Sequence, residues 1–145
     1  MLLTDKDCLH LYGQPEIQAF MTVFVVPDDL HVGTIPKKIY CNRDMVKPLT
    51  AALSNIVSQN LIDEIKTWDG CFNIRQKRGT NDAMSLHSWG VAIDINATWN
   101  RFGAVPTMPK ELVKCFKDVG FDWGGDWSHP DGMHFQLSRR LVGLK

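Results

Sequence analysis

Ser85-Leu86-His87-Ser88-Trp89-Gly90-Val91-Ala92-Ile93-Asp94 is the stretch on which the reading of this chain turns. Val91 to Ile95 is an apolar, β-branched run around one carboxylate, and it reads as a strand. Side chains alternate faces along a strand, so Ala92 and Asp94 share one side while Val91 and Ile93 share the other. Asp94 can then face a cleft while its neighbours enter a core. His87 precedes the strand, and Gly90 supplies the backbone freedom that folds the imidazole back toward Asp94. A second stretch, Asp131-Gly132-Met133-His134, leads into another strand over Met133 to Leu137, with Gln136 on the face of His134. Two imidazoles and a carboxylate are three N/O donors, which leave the open coordination position of a catalytic zinc site; a structural site would use four. The spare carboxylate, Asp131, is then a candidate general base for a water at that position. All of this requires the two strands to be neighbours, which spacing alone does not establish.

Working outward, Cys71 to Arg75 alternates as a half-buried strand should. Leu49, Leu53, Ile56, Val57 and Leu61 recur at helical spacing, with Asn42 or Asp44 as cap and Pro48 in the first turn, which sets a start near Asp44 to Lys47. Another helix is expected with Thr107 as cap, Pro109 in its first turn, Gly120 just past its end, and Leu112, Phe116 and Val119 on its buried face. The stretch from Thr4 to Phe24 begins as a helix, and Pro15 enters a second short turn or helix. Thr22 to Val26 and Ile39 to Cys41 have the composition of short strands. Helices followed by interleaved strands predict an α+β domain, with a small antiparallel sheet carrying the site and helices flanking it.

The chain has 145 residues, enough for one domain with a proper core, and residues 1–145 are read as one unit without repeats or linkers. Sixteen basic and sixteen acidic residues cancel, so no global field draws it to nucleic acid or an anionic membrane. No apolar run approaches a membrane span. The N-terminal Met1-Leu2-Leu3-Thr4-Asp5-Lys6-Asp7 meets acidic residues too early for a secretory signal, so the protein is expected to be made in the cytoplasm. Cys8, Cys41, Cys71 and Cys115 are scattered without a C-x-x-C pair and are expected as reduced thiols, not metal ligands.

The full pattern S-x-H-x-x-G-x-A-x-D, followed by Trp123-Gly124-Gly125-Asp126-Trp127 and then D-x-M-H-F, resembles the zinc peptidases of the LAS superfamily (lysostaphin-type enzymes, D-Ala-D-Ala peptidases and hedgehog domains). It looks most like the D-alanyl-D-alanine carboxypeptidases and the phage L-alanyl-D-glutamate endopeptidases. The resemblance runs from about Ile39 to Leu137, is strongest from Cys71 onward, and leaves the first thirty-odd residues almost untouched. It implies one Zn2+ held by His87, Asp94 and His134, with Asp131 as general base. Many relatives carry Glu at that place; Asp resembles the L-alanyl-D-glutamate branch. A strand arginine ahead of the first motif helps hold the scissile carbonyl in such relatives, which falls on Arg75, with Arg78 as its rival.

Ser85 is expected to hydrogen-bond within the site or orient His87, and Trp127 to line a substrate groove. His129, two residues before Asp131, does not cleanly match the H-x-H pair of the lysostaphin branch but stands near the cleft. Trp89 and Trp123 read as core or cleft wall, His10 and His31 as surface residues. Asp118, Asp122 and Asp126 do not follow a calcium-loop pattern and read as a solvated face.

The resemblance implies bacterial peptidoglycan as substrate, cut within its stem peptide; a monomer is expected. The expected bond is L-Ala–D-Glu, in a phage endolysin that waits in the host cytoplasm until a holin opens the membrane and then reaches the periplasm and cell wall. The alternatives are a D,D-carboxypeptidase, with Arg78 or Lys77 receiving a free carboxylate, and a zinc-containing binding domain without chemistry.

Overall fold

A computed structural model describes residues 1–80 and 82–145 of the chain. Helix α1 (Asp5–Tyr12) starts in a capping box: Thr4 Oγ1 accepts from the Asp7 amide at 3.1 Å, and Asp7 Oδ2 accepts from the Thr4 amide at 3.0 Å. Pro15 then opens a single 3-10 turn. Strands β1 (Met21–Val25) and β2 (Lys38–Asn42) form an antiparallel pair, as the β-branched composition predicted.

Helix α2 (Arg43–Ser58) is capped by the Asn42 side chain, which accepts from the Asp44 amide. It therefore begins just before the window expected from Pro48, and that proline lies in the second turn. The backbone hydrogen bond lost there is outweighed by the helix's apolar stripe: Met45, Leu49, Ala52, Leu53 and Ile56 are fully buried. Helix α3 (Lys110–Lys117) buries Leu112, Val113, Cys115 and Phe116. Pro109, not Thr107, occupies its cap position; Thr107 instead donates its hydroxyl to the Trp99 carbonyl at 3.0 Å.

The site-bearing sheet has four antiparallel strands: β3 (Trp68–Gly70), β4 (Ala92–Ile95), β5 (Phe121–Trp123) and β6 (His134–Leu137), in the order β3-β4-β6-β5. The three-residue strands β3 and β5 are too short to show any alternation in sequence. The strand expected over Cys71 to Arg75 is not one. That segment lies along the turn carrying His87, where the Asn73 amide donates to the His87 carbonyl and the Arg75 amide to Ser88 Oγ. Its alternation therefore reflects packing beside a turn.

In the ladder between β4 and β6, Ala92 pairs with Gln136, Ile93 with Phe135 and Asp94 with His134. Ile93, Ile95, Phe135 and Leu137 enter the core, where Phe116 of α3 stacks on Phe135 with ring centroids 4.2 Å apart. Ala92, Asp94, His134 and Gln136 take the opposite face. The result is the expected α+β architecture, with three α-helices and two small antiparallel sheets among the described residues. All four cysteines are buried and free, and no helix among the described residues is long and apolar enough to cross a membrane.

Gly90 carries φ +66°, and a Cβ there would lie 2.7 Å from the Asn42 backbone nitrogen and 2.7 Å from Met21 Cε. Gly90→Ala is expected to destabilise the fold by about 2–4 kcal/mol, combining left-handed strain with a backbone clash. Urea unfolding checks this; a loss below about 0.5 kcal/mol, the usual effect of a surface change, would mean that the turn relaxes freely.

Candidate metal centre

His87 sits in a 3-10 turn, Leu86–Trp89, whose start is capped by Ser85: its Oγ accepts from the His87 amide at 3.2 Å. Ser85 thus orients His87, as expected, through the backbone. Gly90 in the left-handed conformation ends the turn and sends the chain back as β4, which returns Asp94 beneath the His87 ring. His134 arrives from the neighbouring strand, directly opposite Asp94. The strand adjacency that the sequence could not establish is thereby present.

Hydrogen-bond partners fix how each imidazole is protonated. Nδ1 of His87 lies 2.6 Å from the Cys71 carbonyl, which can only accept, so Nδ1 carries the proton and donates it. The lone pair on Nε2 then points at Asp94 Oδ2, 3.1 Å away, with no hydrogen bond between them. His134 is arranged the other way round: Nε2 donates to Gln136 Oε1 at 2.9 Å, and Nδ1 turns its lone pair toward Asp94 Oδ1 at 3.5 Å. The two rings stand edge to face, centroids 5.1 Å apart and planes at 82°. Their acceptor nitrogens thus converge on one carboxylate.

Buried acceptors facing one another without a donor are costly. His87 Nε2, Asp94 Oδ1 and Asp131 Oδ1 are all buried without a hydrogen-bond partner. The donor atoms of His87, Asp94 and His134 lie within 4.8 Å of one another. A divalent cation among them would satisfy the lone pairs of His87 and Asp94, and His/His/carboxylate is a donor set that zinc accepts. The residues present therefore fit the metal.

The electrostatics show the same demand for positive charge in another form. Burial alone would raise the Asp94 carboxyl, but imidazoles that carry a second proton and donate it to Asp94 outweigh burial and hold it well below the ordinary carboxylate range. Burial would lower His134, and the Asp94 carboxylate more than reverses that, so without a cation a proton takes the place on Nδ1 that a metal would fill. Asp131 is raised, chiefly by burial. Its Oδ2 stands 3.9 Å from His134 Nδ1, so it borders the donor set without belonging to it.

The placement of Asp131 explains the first of the paired glycines before it, and the Trp123 ring leaves no room for a Cβ on the second, Gly125. The Asp131 amide donates to the Gly124 carbonyl at 2.9 Å, and a Cβ on Gly124 would lie 2.4 Å from the Asp131 carbonyl oxygen. Trp123 Nε1 donates to the Gly132 carbonyl at 2.8 Å from the other side. The aromatic–glycine segment is thus the cradle of the candidate base.

A cleft of about 300 Å³ opens over these groups. Arg75, Arg78, Ser85, Trp127, Asp131 and His134 all line it. Burial and the neighbouring Arg78 cation both lower the Arg75 pKa, so the two guanidiniums share one wall. Arg78 also contacts Met133 Sδ at 3.8 Å. The Trp127 ring lies 5.3 Å from His134, with Lys77 Nζ 5.5 Å from its centroid. His129 is exposed and is not among the described residues lining the cleft. His10 and His31 are exposed, as expected. Asp118 and Asp126 pair with Lys114 and Lys117 on the outer surface.

Residues 78–137 match the model of a family described as D-alanyl-D-alanine carboxypeptidase. This is the zinc-peptidase resemblance carried by the two motifs. The matched segment contains His87, Asp94, Asp131 and His134, the groups that the fold brings together. The match supports a metallopeptidase.

Two contributors to the site were not legible as such: the Cys71 carbonyl and an N-terminal segment, Leu2 to Asp5, that forms a wall of the cleft. Backbone groups leave no residue-type signal, and the N-terminal segment lies outside both motifs.

Zinc at a hundredfold excess over its dissociation constant is expected to stabilise the folded protein by about 2.7 kcal/mol. Asp94→Asn should abolish that gain, and a chelator should reverse it in the parent protein. Thermal unfolding with and without metal checks both; an equal gain in the Asn variant would remove Asp94 from the donor set.

Proposed function

We propose that this protein is a zinc-dependent peptidoglycan peptidase that hydrolyses the L-Ala–D-Glu amide of the stem peptide, and that it serves as an endolysin in phage-driven lysis, reaching the wall from the host cytoplasm. The observation carrying the catalytic reading is the convergence of His87 Nε2, Asp94 and His134 Nδ1 beside a buried carboxylate, Asp131, with an unpartnered oxygen. A binding domain without chemistry has no use for that fourth, uncoordinated acid.

Zinc held by these three donors supplies an acidified water and a Lewis acid for the scissile carbonyl. Asp131 accepts the proton of the attacking water on its free carboxylate oxygen and later delivers it to the departing amine nitrogen. Its buried, unpartnered oxygen is the atom placed to take that proton and give it back. Arg75 and Arg78 face the developing oxyanion and the substrate's own carboxylates from the cleft wall. Trp127 offers an aromatic face beside His134 for the peptide chain.

Aspartate at position 131, rather than glutamate, supports the L-Ala–D-Glu bond. The description of the matched family favours a second reading, removal of a terminal D-Ala, in which the cations of the cleft wall receive the free carboxylate.

Purified Gram-negative peptidoglycan digested by the zinc-loaded protein should yield stem peptides with D-Glu at a new N-terminus, read by mass spectrometry. Free D-Ala alone would establish the second reading. Metal binding with neither product would leave a binding domain. Asp131→Ala should lower turnover by about 10²–10⁴-fold while zinc stays bound, since proton transfer of this kind contributes about that much.

A further inference from the structure

The segment that the family match leaves out is built into the metal centre. Helix α1 is fastened at both ends to the elements that carry the two histidines. At its end, the Gly13 carbonyl accepts from Trp89 Nε1 at 2.8 Å, on the turn that holds His87. At its start, Asp5 Oδ2 accepts from the Met84 amide at 3.0 Å, and Asp7 Oδ2 pairs with Arg139 at 2.6 Å, just beyond β6. Between these anchors the carbonyl of Leu3 accepts from Gln136 Nε2 at 3.4 Å. Leu3 and Gln136 are both 3% exposed, so water does not compete for this contact.

The Leu3 carbonyl can only accept, which forces the amide nitrogen of Gln136 toward it and the amide oxygen toward His134. That oxygen also can only accept, which forces the proton of His134 onto Nε2, 2.9 Å away, and leaves Nδ1 free to bind a cation. A reversed amide would set oxygen against carbonyl oxygen. We propose that Gln136 is a positioning residue that locks His134 in its metal-binding tautomer, and that the N-terminal segment holds Gln136 in place through the Leu3 carbonyl. The inference rests on the metal reading given above and extends it to residues 1–5.

The test is zinc affinity, measured by competition with a chromophoric chelator, in the parent protein, Gln136→Leu, Gln136→Glu, a variant lacking residues 1–3, and that deletion combined with Gln136→Leu. Gln136→Leu should weaken zinc binding about 10–100-fold, the usual effect of removing such a partner. Gln136→Glu keeps an acceptor for Nε2–H and should stay within about tenfold of the parent. The deletion should weaken binding, and adding it to Gln136→Leu should cause no further loss, because both act along one path. An affinity unchanged in Gln136→Leu, no loss on deletion, or losses that multiply in the combined variant would each overturn the inference. Should the variants fail to fold, ¹⁵N spectra of the zinc-loaded parent decide it. A proton on His134 Nε2 supports the lock, and a metal-bound Nε2 refutes it. A parent protein that binds no zinc would instead defeat the underlying metal reading.

Discussion

The antiparallel pairing of Ala92–Asp94 with His134–Gln136 is the contact on which the rest of the molecule depends. It sets Asp94 opposite His134 and, one residue along, Ile93 opposite Phe135. One register therefore assigns both the core and the site. A slip of a single residue would turn the carboxylate and the imidazole into the apolar layer and expose the phenylalanine. The stacking of Phe116 on Phe135 beneath the sheet thus holds the chemistry above it in register, although neither ring touches the cleft.

On the site face the same pairing concentrates groups that repel one another without a cation. Two imidazole lone pairs aim at one buried carboxylate, and a second carboxylate stands alongside. The Cys71 carbonyl and Gln136 keep the ring protons on the far sides. The folded chain maintains this arrangement through its core and the bracing helix α1. It is preorganised toward a positive charge, and binding such a charge relieves the crowding.

Much of this was legible in the residues. The alternation that aims Asp94 away from Ile93 and the strand character of the two motifs follow from residue type and spacing, while the four site side chains follow from the full motif pattern and the family it resembles. The helices over Leu49 to Ile56 and Leu112 to Phe116 follow from periodicity. Errors arose where tertiary contacts replaced local rules. Pro48 is tolerated a turn deeper because the α2 stripe is fully buried. Cys71 to Arg75 alternates because it lies against the His87 turn and not because it joins a ladder. Thr107 spends its hydroxyl on Trp99 instead of capping α3. The Leu3 carbonyl gave no signal at all, since any residue there would supply the same group.

The four free cysteines bear on what holds the fold together. Burial pushes Cys8 and Cys41 up to about 12, raises Cys71 well above the ordinary thiol range, and raises Cys115 as well. The thiolate is the form that oxidants and disulfides attack, and here it is both scarce and sheltered. Protonation and burial thus slow attack from solvent on all four thiols, and the fold draws its stability from packing, with no cross-link to lose on reduction.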